Sequence, residues 1–214
     1  MTEKVFWQAP YLKRLPTQVA RVAGAEITVA RTIFYALSGG QESDEGTIGG
    51  HPVLEARKEG REIVYRLPED HGLRPGDPVI IEIDWERRYR LMRLHFAAEI
   101  VLELVYRHLG PIEKIGAHIA PDKARIDFAW PDNIAEHFPL LEAEALAIVA
   151  GDEPIESDFS DEATERRYWK IEAFGRVSCG GTHLRHTGEV GPIALKRKNI
   201  GKGKERIEVT LVEP

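Results

Sequence analysis

Cys179 lies in Ser178-Cys179-Gly180-Gly181-Thr182-His183, and a thiol and an imidazole four residues apart are a ligand pair of the kind zinc binds. That pair supplies half a metal site. The best candidate for the other half is Arg93-Leu94-His95-Phe96-Ala97-Ala98-Glu99, where His95 and Glu99 stand at i and i+4 within a helical pattern and point the same way. A lone histidine on a buried helix face is more often a hydrogen-bonded core residue, and a lone cysteine a small core hydrophobe. The combination reads differently. Two glycines between thiol and imidazole let the backbone turn tightly and approach a bound group, and the turn-rich Thr187-Gly188-Glu189-Val190-Gly191 follows.

The elements that must position these groups are legible from periodicity. From Trp85 to Leu109 apolar residues recur at helical spacing (Leu91, Leu94, Ala98, Leu102, Val105, Leu109), with His95 on the same inward face, and Gly110-Pro111 stops the helix. Before it, 17–22, 26–31, 51–58, 61–66 and 79–84 are short strand-like runs separated by turn signals, which predicts a small β-barrel-like domain. After it, 112–120 and 125–130 form a predicted hairpin around Pro121-Asp122-Lys123. A second helix follows over 132–149, then strands at 154–159, 169–174 and 207–212. Helices and antiparallel strands segregate, so the expected class is α+β: an N-terminal domain, 1–85, and a second domain, 86–214, with an antiparallel sheet packed by helices.

Composition narrows the function. The chain has 214 residues, 43% hydrophobic and 30% charged, which is enough for one large or two small globular domains. No apolar run approaches a membrane span, the first residues lack a signal-peptide core, and one cysteine excludes an intramolecular disulfide. A cytoplasmic protein without membrane partners is expected. The net charge of −6 argues against a protein that coats nucleic acid. The distribution nevertheless permits local RNA contact: Arg87, Arg88, Arg90 and Arg93 cluster at the central helix, and Lys196, Arg197, Lys198, Lys202, Lys204 and Arg206 crowd the C-terminal segment. Solvated charged faces are the alternative. Neither a Gly-rich nucleotide loop nor a P-loop is present, and 214 residues leave no room for an ATP-binding catalytic domain beside the other elements, which argues against synthetase chemistry.

Several separated motifs, in order and spanning nearly the whole chain, resemble one family. They are Tyr11-Leu12, the stretch from Arg31 through Ser38-Gly39-Gly40-Gln41 with Asp44 and Gly46, Arg93-Leu94-His95, Cys179-Gly180-Gly181-Thr182-His183 with Thr187-Gly188-Glu189, and Gly201-Lys202-Gly203-Lys204-Glu205-Arg206-Ile207. In these the chain is similar to the alanyl-tRNA editing proteins, freestanding relatives of the alanyl-tRNA synthetase editing domain. The resemblance implies hydrolysis of the ester of tRNA(Ala) mischarged with serine or glycine, and a Zn2+ held by His95, Cys179 and His183. It also makes 86–214 the zinc-binding editing domain and Gly39, Gly40 and Gln41 a substrate loop of the first. Where the family has a second helix histidine this chain has Glu99, and Phe96 and Ala98 also depart from the family pattern.

Two roles are open to Glu99. It is either the fourth zinc ligand, or the acceptor of the water proton beside an open metal position. An ester is already activated, so the work left is to hold the terminal adenosine and aminoacyl group, polarise the carbonyl and position water. Gln41 is expected to offer its amide to the aminoacyl end or to RNA, and Thr182 its hydroxyl at the pocket wall or to its own turn. RNA contacts are expected from Arg87, Arg88, Lys202 and Lys204. A non-catalytic RNA-binding relative of the editing domain is the competing reading.

Overall fold

A computed structural model describes residues 2–212. The chain divides into two compact units, Met1–Ser38 with Glu42–Tyr89, and Gly39–Gln41 with Arg90–Pro214.

The first unit is built on β-strands. They are β1 (Glu3–Lys4), β2 (Arg14–Ala23), β3 (Glu26–Val29), β4 (Arg31–Thr32), β5 (Gly46–Ile48), β6 (His51–Pro52), β7 (Glu55–Glu59), β8 (Glu62–Arg66) and β9 (Pro78–Ile83). Seven pair antiparallel in the order β6-β5-β9-β2-β3-β8-β7, and β1 pairs parallel with β4. On β9 the period of two turns Val79, Ile81 and Ile83 into a core that also holds Ile27, Ile48 and Tyr65. The run 51–58 is two strands rather than the single one expected. Pro52 has no N–H to continue a ladder, and pairing resumes at Glu55. β1 and β5 lie outside the expected set and β4 only touches its edge at Arg31, all three being too short to show a period.

One expectation of surface chemistry is overturned in this unit. Arg88 was expected to contact RNA, but it is fully buried, as is the Asp44 carboxylate it pairs with. Its Nε donates to Asp44 Oδ1 at 2.7 Å, and its terminal nitrogens donate to Asp44 Oδ2, to Ile33 O at 2.6 Å and to Pro10 O at 3.0 Å. The Tyr35 backbone N–H closes the other side of Asp44 at 2.6 Å. A guanidinium whose donors are spent on buried acceptors is a structural strut, inaccessible to phosphate.

The second unit contains most of α1 (Trp85–Leu109), then β10 (Lys114–Ile119), β11 (Ala124–Ala129), a short 3-10 turn (Ile134–His137), α2 (Phe138–Gly151), β12 (Glu156–Asp161), β13 (Arg166–Ile171), β14 (Gly175–Ser178), β15 (Ile193–Gly201) and β16 (Lys204–Leu211). Two antiparallel sheets result, β10-β11-β16-β15 and β12-β13-β14. The expected segregation of helices and antiparallel strands is thus present, and the class is α+β. The single inward stripe read on α1 is too narrow: Phe96, Ala97, Val101 and Leu104 are buried as completely as Leu94 and Val105. A helix covered nearly all round shows little amphipathic contrast in its sequence. In the hairpin, Ile119, Ile126 and Phe128 are buried. A bulge between Lys114 and Gly116 instead leaves Ile115 exposed.

Candidate metal centre

Three elements of the second unit converge on one buried point. His95 comes from the middle of α1, Cys179 immediately follows β14, and His183 lies in the loop after it. His95 Nε2 and His183 Nε2 each stand 3.2 Å from Cys179 Sγ, and the three ligand atoms lie within 4.8 Å of one another. A tetrahedral zinc with N and S donors at ~2.0–2.3 Å places neighbouring ligands ~3.5 Å apart, so this donor set could hold the ion. Protonation states agree. Burial lowers the pKa of His95, and burial and then His95 lower that of His183 still further, so both rings are neutral, the form that ligates. Burial and then Glu99 push the Cys179 thiol well above its ordinary range, so a thiolate there requires a cation beside it.

The candidate ligands are held by residues that sequence reading did not single out. Ser157 Oγ lies 2.8 Å from His183 Nδ1, which leaves Nε2 facing Cys179. Trp169 Nε1 donates to Glu99 Oε2 at 3.0 Å. Ser157 and Trp169 are directly opposite partners on β12 and β13, so a single rung of the small sheet orients two groups of the site. Arg167, also buried, donates to the Gly181 carbonyl at 3.3 Å. No spacing in the chain links these residues to the cysteine motif; only strand register does.

His95 Nδ1 is buried without a hydrogen-bond partner among the described residues, and packing fixes the ring instead. Gly181 supplies that packing: a Cβ there would come within 2.6 Å of His95 Cε1 and 2.7 Å of Nε2. The close approach expected of this motif is therefore made by Gly181, whereas a Cβ on Gly180 would meet nothing within 4 Å.

Glu99 stands at the edge of the cluster. Its Oε1 lies 3.9 Å from both His95 Nε2 and Cys179 Sγ, farther than those atoms lie from each other. Beside the cluster, Gln41 and Thr182 meet, with Gln41 Nε2 donating to Thr182 Oγ1 at 3.2 Å, and both side chains are buried. Gln41 Oε1 has no partner among the described residues. The loop is pinned to β10, where Ile119 N donates to Gly40 O at 2.8 Å and Gln41 bridges to Ile119. Gly40 has φ +87°, and a Cβ on it would sit 2.7 Å from Ala117 O, so only glycine fits. Gly39 is exposed.

Comparison with known proteins bears on this arrangement. The sequence profile of the threonyl and alanyl tRNA synthetase second additional domain matches residues 171–208, a segment that contains Cys179 and His183. The chain is 34% identical to the alanyl-tRNA editing protein AlaX-M of Pyrococcus horikoshii, over 99% of its own length and 98% of the relative's. It is 31% identical to AlaX-M of Saccharolobus solfataricus over 99% of both chains. The chain belongs to the alanyl-tRNA editing protein (AlaX) family. It is also 32% identical to the alanine–tRNA ligase of Methanococcus aeolicus, matching 98% of this chain but 25% of the ligase.

Of the cations expected to touch RNA, this AlaX chain leaves Lys202 and Lys204 exposed at the β15–β16 turn. Arg87 is mostly covered, with its side chain paired to Glu42 at 2.8 Å and donating to Ser43 O at 3.2 Å. Among the described residues no helix is long and apolar enough to cross a membrane.

Proposed function

We propose that this chain is a zinc-dependent aminoacyl-tRNA deacylase that hydrolyses the ester of tRNA(Ala) mischarged with serine or glycine, acting in the cytoplasm as a trans-editing factor. The observation that carries the reading is the buried convergence of His95, Cys179 and His183, in a chain that matches AlaX-M proteins end to end. In this reading those three residues hold Zn2+, and Ser157 and Gly181 keep the two imidazoles aimed at it. When bound, zinc supplies a Lewis acid beside the ester. Water adds to the aminoacyl carbonyl carbon, the bond to the ribose oxygen breaks, and the free amino acid and a tRNA with its terminal hydroxyl result.

The remaining work falls to the chain's own groups. Gln41 Oε1 is the unsatisfied buried acceptor, and we assign it to a donor on the aminoacyl end, with Thr182 fixing the amide through its Nε2. Glu99 is assigned as fourth ligand, since Trp169 anchors one of its oxygens and leaves the other turned toward the cluster. Its 3.9 Å stand-off supports the alternative role, in which Oε1 does not ligate and instead accepts the proton of the attacking water. We read 1–85 as an N-terminal β-barrel-like domain and 86–214 as the editing domain, and place RNA contacts at Lys202, Lys204 and Arg87.

Purified protein incubated with Ser-tRNA(Ala) should release serine and should carry about one zinc per chain, lost in Cys179→Ala. Tight tRNA binding without turnover would replace this reading with that of a non-catalytic relative.

A further inference from the structure

The sheet β10-β11-β16-β15 has two unlike faces. Ile126, Phe128, Ile207 and Val209 are buried on one. On the other, strand alternation and register place Arg125 opposite Glu208, Asp127 opposite Arg206, Lys196 opposite Glu208 and Lys198 opposite Arg206. Lys204 continues the same alternation on β16 toward the turn, and Lys123 reaches this face to bind Glu208 Oε1 at 2.9 Å. Six cations (Lys123, Arg125, Lys196, Lys198, Lys204, Arg206) therefore share the face with two carboxylates, Asp127 and Glu208, on a chain whose net charge is −6.

Not all of these cations are available to a partner. Arg206 is tied to Asp127 in a two-point pair at 2.6 and 2.9 Å, and Lys123 to Glu208. Arg197, the neighbour of both exposed lysines in sequence, turns to the opposite face and pairs with the buried Glu205 at 2.5 and 2.6 Å. Among the described residues the side chains of Arg125, Lys196, Lys198 and Lys204 make no hydrogen bond or ion pair, and the three lysines are exposed. The two ion pairs neutralise their own charges; Lys196 and Lys198 act on Glu208 only through space, so six cations against two carboxylates leave the face with a net positive charge.

We propose that this outward sheet face, centred on Lys196, Lys198 and Arg125 and running to Lys202 and Lys204 at the turn, is the surface that takes the phosphate backbone of the tRNA substrate. The inference rests on the editing reading above and adds where the RNA lies. Charge complementarity selects the occupant: exposed lysines at alternate positions of a strand, ~6.6 Å apart, suit a repeating polyanion rather than a single anion. The cations outnumber the carboxylates of this face, and among its other groups only His118, opposite Arg125, carries a ring, so contact through backbone phosphates is the recognition expected.

Binding of unacylated tRNA(Ala), measured from about 50 to about 200 mM salt, tests this. The double variant Lys196→Ala/Lys198→Ala should weaken binding and flatten the slope of log affinity against log salt by about 2, one for each lysine taken away from a phosphate, while metal content and thermal midpoint stay as in wild type. Arg197→Ala should lower the thermal midpoint and leave the slope unchanged. A double variant with wild-type slope and affinity, in a wild type that binds tRNA, overturns the proposed face and leaves the editing reading standing. A wild type that binds no tRNA at all overturns both.

Discussion

Gly181→Ala probes the contact that aims His95 at the cluster. The added Cβ would lie 2.6 Å from His95 Cε1, 2.7 Å from Nε2 and 3.2 Å from Nδ1, whereas non-bonded carbons rest at ~3.5 Å or more. The imidazole must therefore recede by ~1 Å. It is buried on a helix that is itself enclosed, so the displacement is an overpacking defect costing ~1–3 kcal/mol. The ligand atom moves with the ring, and since metal sites tolerate ~0.2 Å, zinc affinity should fall at least ~10- to 100-fold. Gly180→Ala is the matched control: neither glycine has a positive φ, and a Cβ at 180 meets nothing within 4 Å. Competition for zinc against a chromophoric chelator, with urea unfolding of the metal-free proteins, reads both effects. If Gly181→Ala holds zinc within twofold of wild type and unfolds within ~0.5 kcal/mol of it, the packing account of His95 is wrong. Equal damage from Gly180→Ala would place the cause in loop stiffness instead.

Arg88→Ala should destabilise the protein by ~3–5 kcal/mol in urea unfolding, because it strands the Asp44 carboxylate and two carbonyls in the interior. A loss under ~1 kcal/mol would show that water reaches the pair. Glu99→His separates the two roles of that residue. As a ligand replacement it should keep zinc and preserve or raise deacylation; if Glu99 is the base, zinc stays and turnover drops ~10²-fold. Hydrogen bonding from Arg197 holds the Glu205 carboxyl below its ordinary pKa of 4.5, so its contribution is complete above about pH 4.5 and is lost as pH falls through the lower folded value. Wild type should accordingly lose stability more steeply than Glu205→Gln on acidification below pH 4.5, and parallel pH–stability curves would exclude this coupling.

Much of the site could be read from the chain because its chemistry is local in sequence. Cys179 and His183 are four residues apart, His95 and Glu99 one helical turn, and such spacings survive into three dimensions unchanged. The long helix 85–109 and strands such as β9 declare themselves by period, since their apolar residues recur over enough positions to be counted. Two- and three-residue strands carry no period. The basic run on β15 reads as a charge cluster rather than as a strand, because its outward lysines mask the alternation.

What the sequence could not determine was decided by register and burial. Ser157 and Trp169 reach the site only because β12 and β13 pair them face to face, a relation between residues twelve apart that no local rule encodes. Tertiary placement likewise assigns opposite fates to look-alike cations. Lys198 is exposed while Arg197 is locked to Glu205, and Arg88 disappears into the interior while Lys204 stays in solvent. A charge in a sequence has a sign and a position. Whether it is a strut or a free contact depends on which acceptors the fold brings within ~3 Å, and that is a property of the tertiary structure alone.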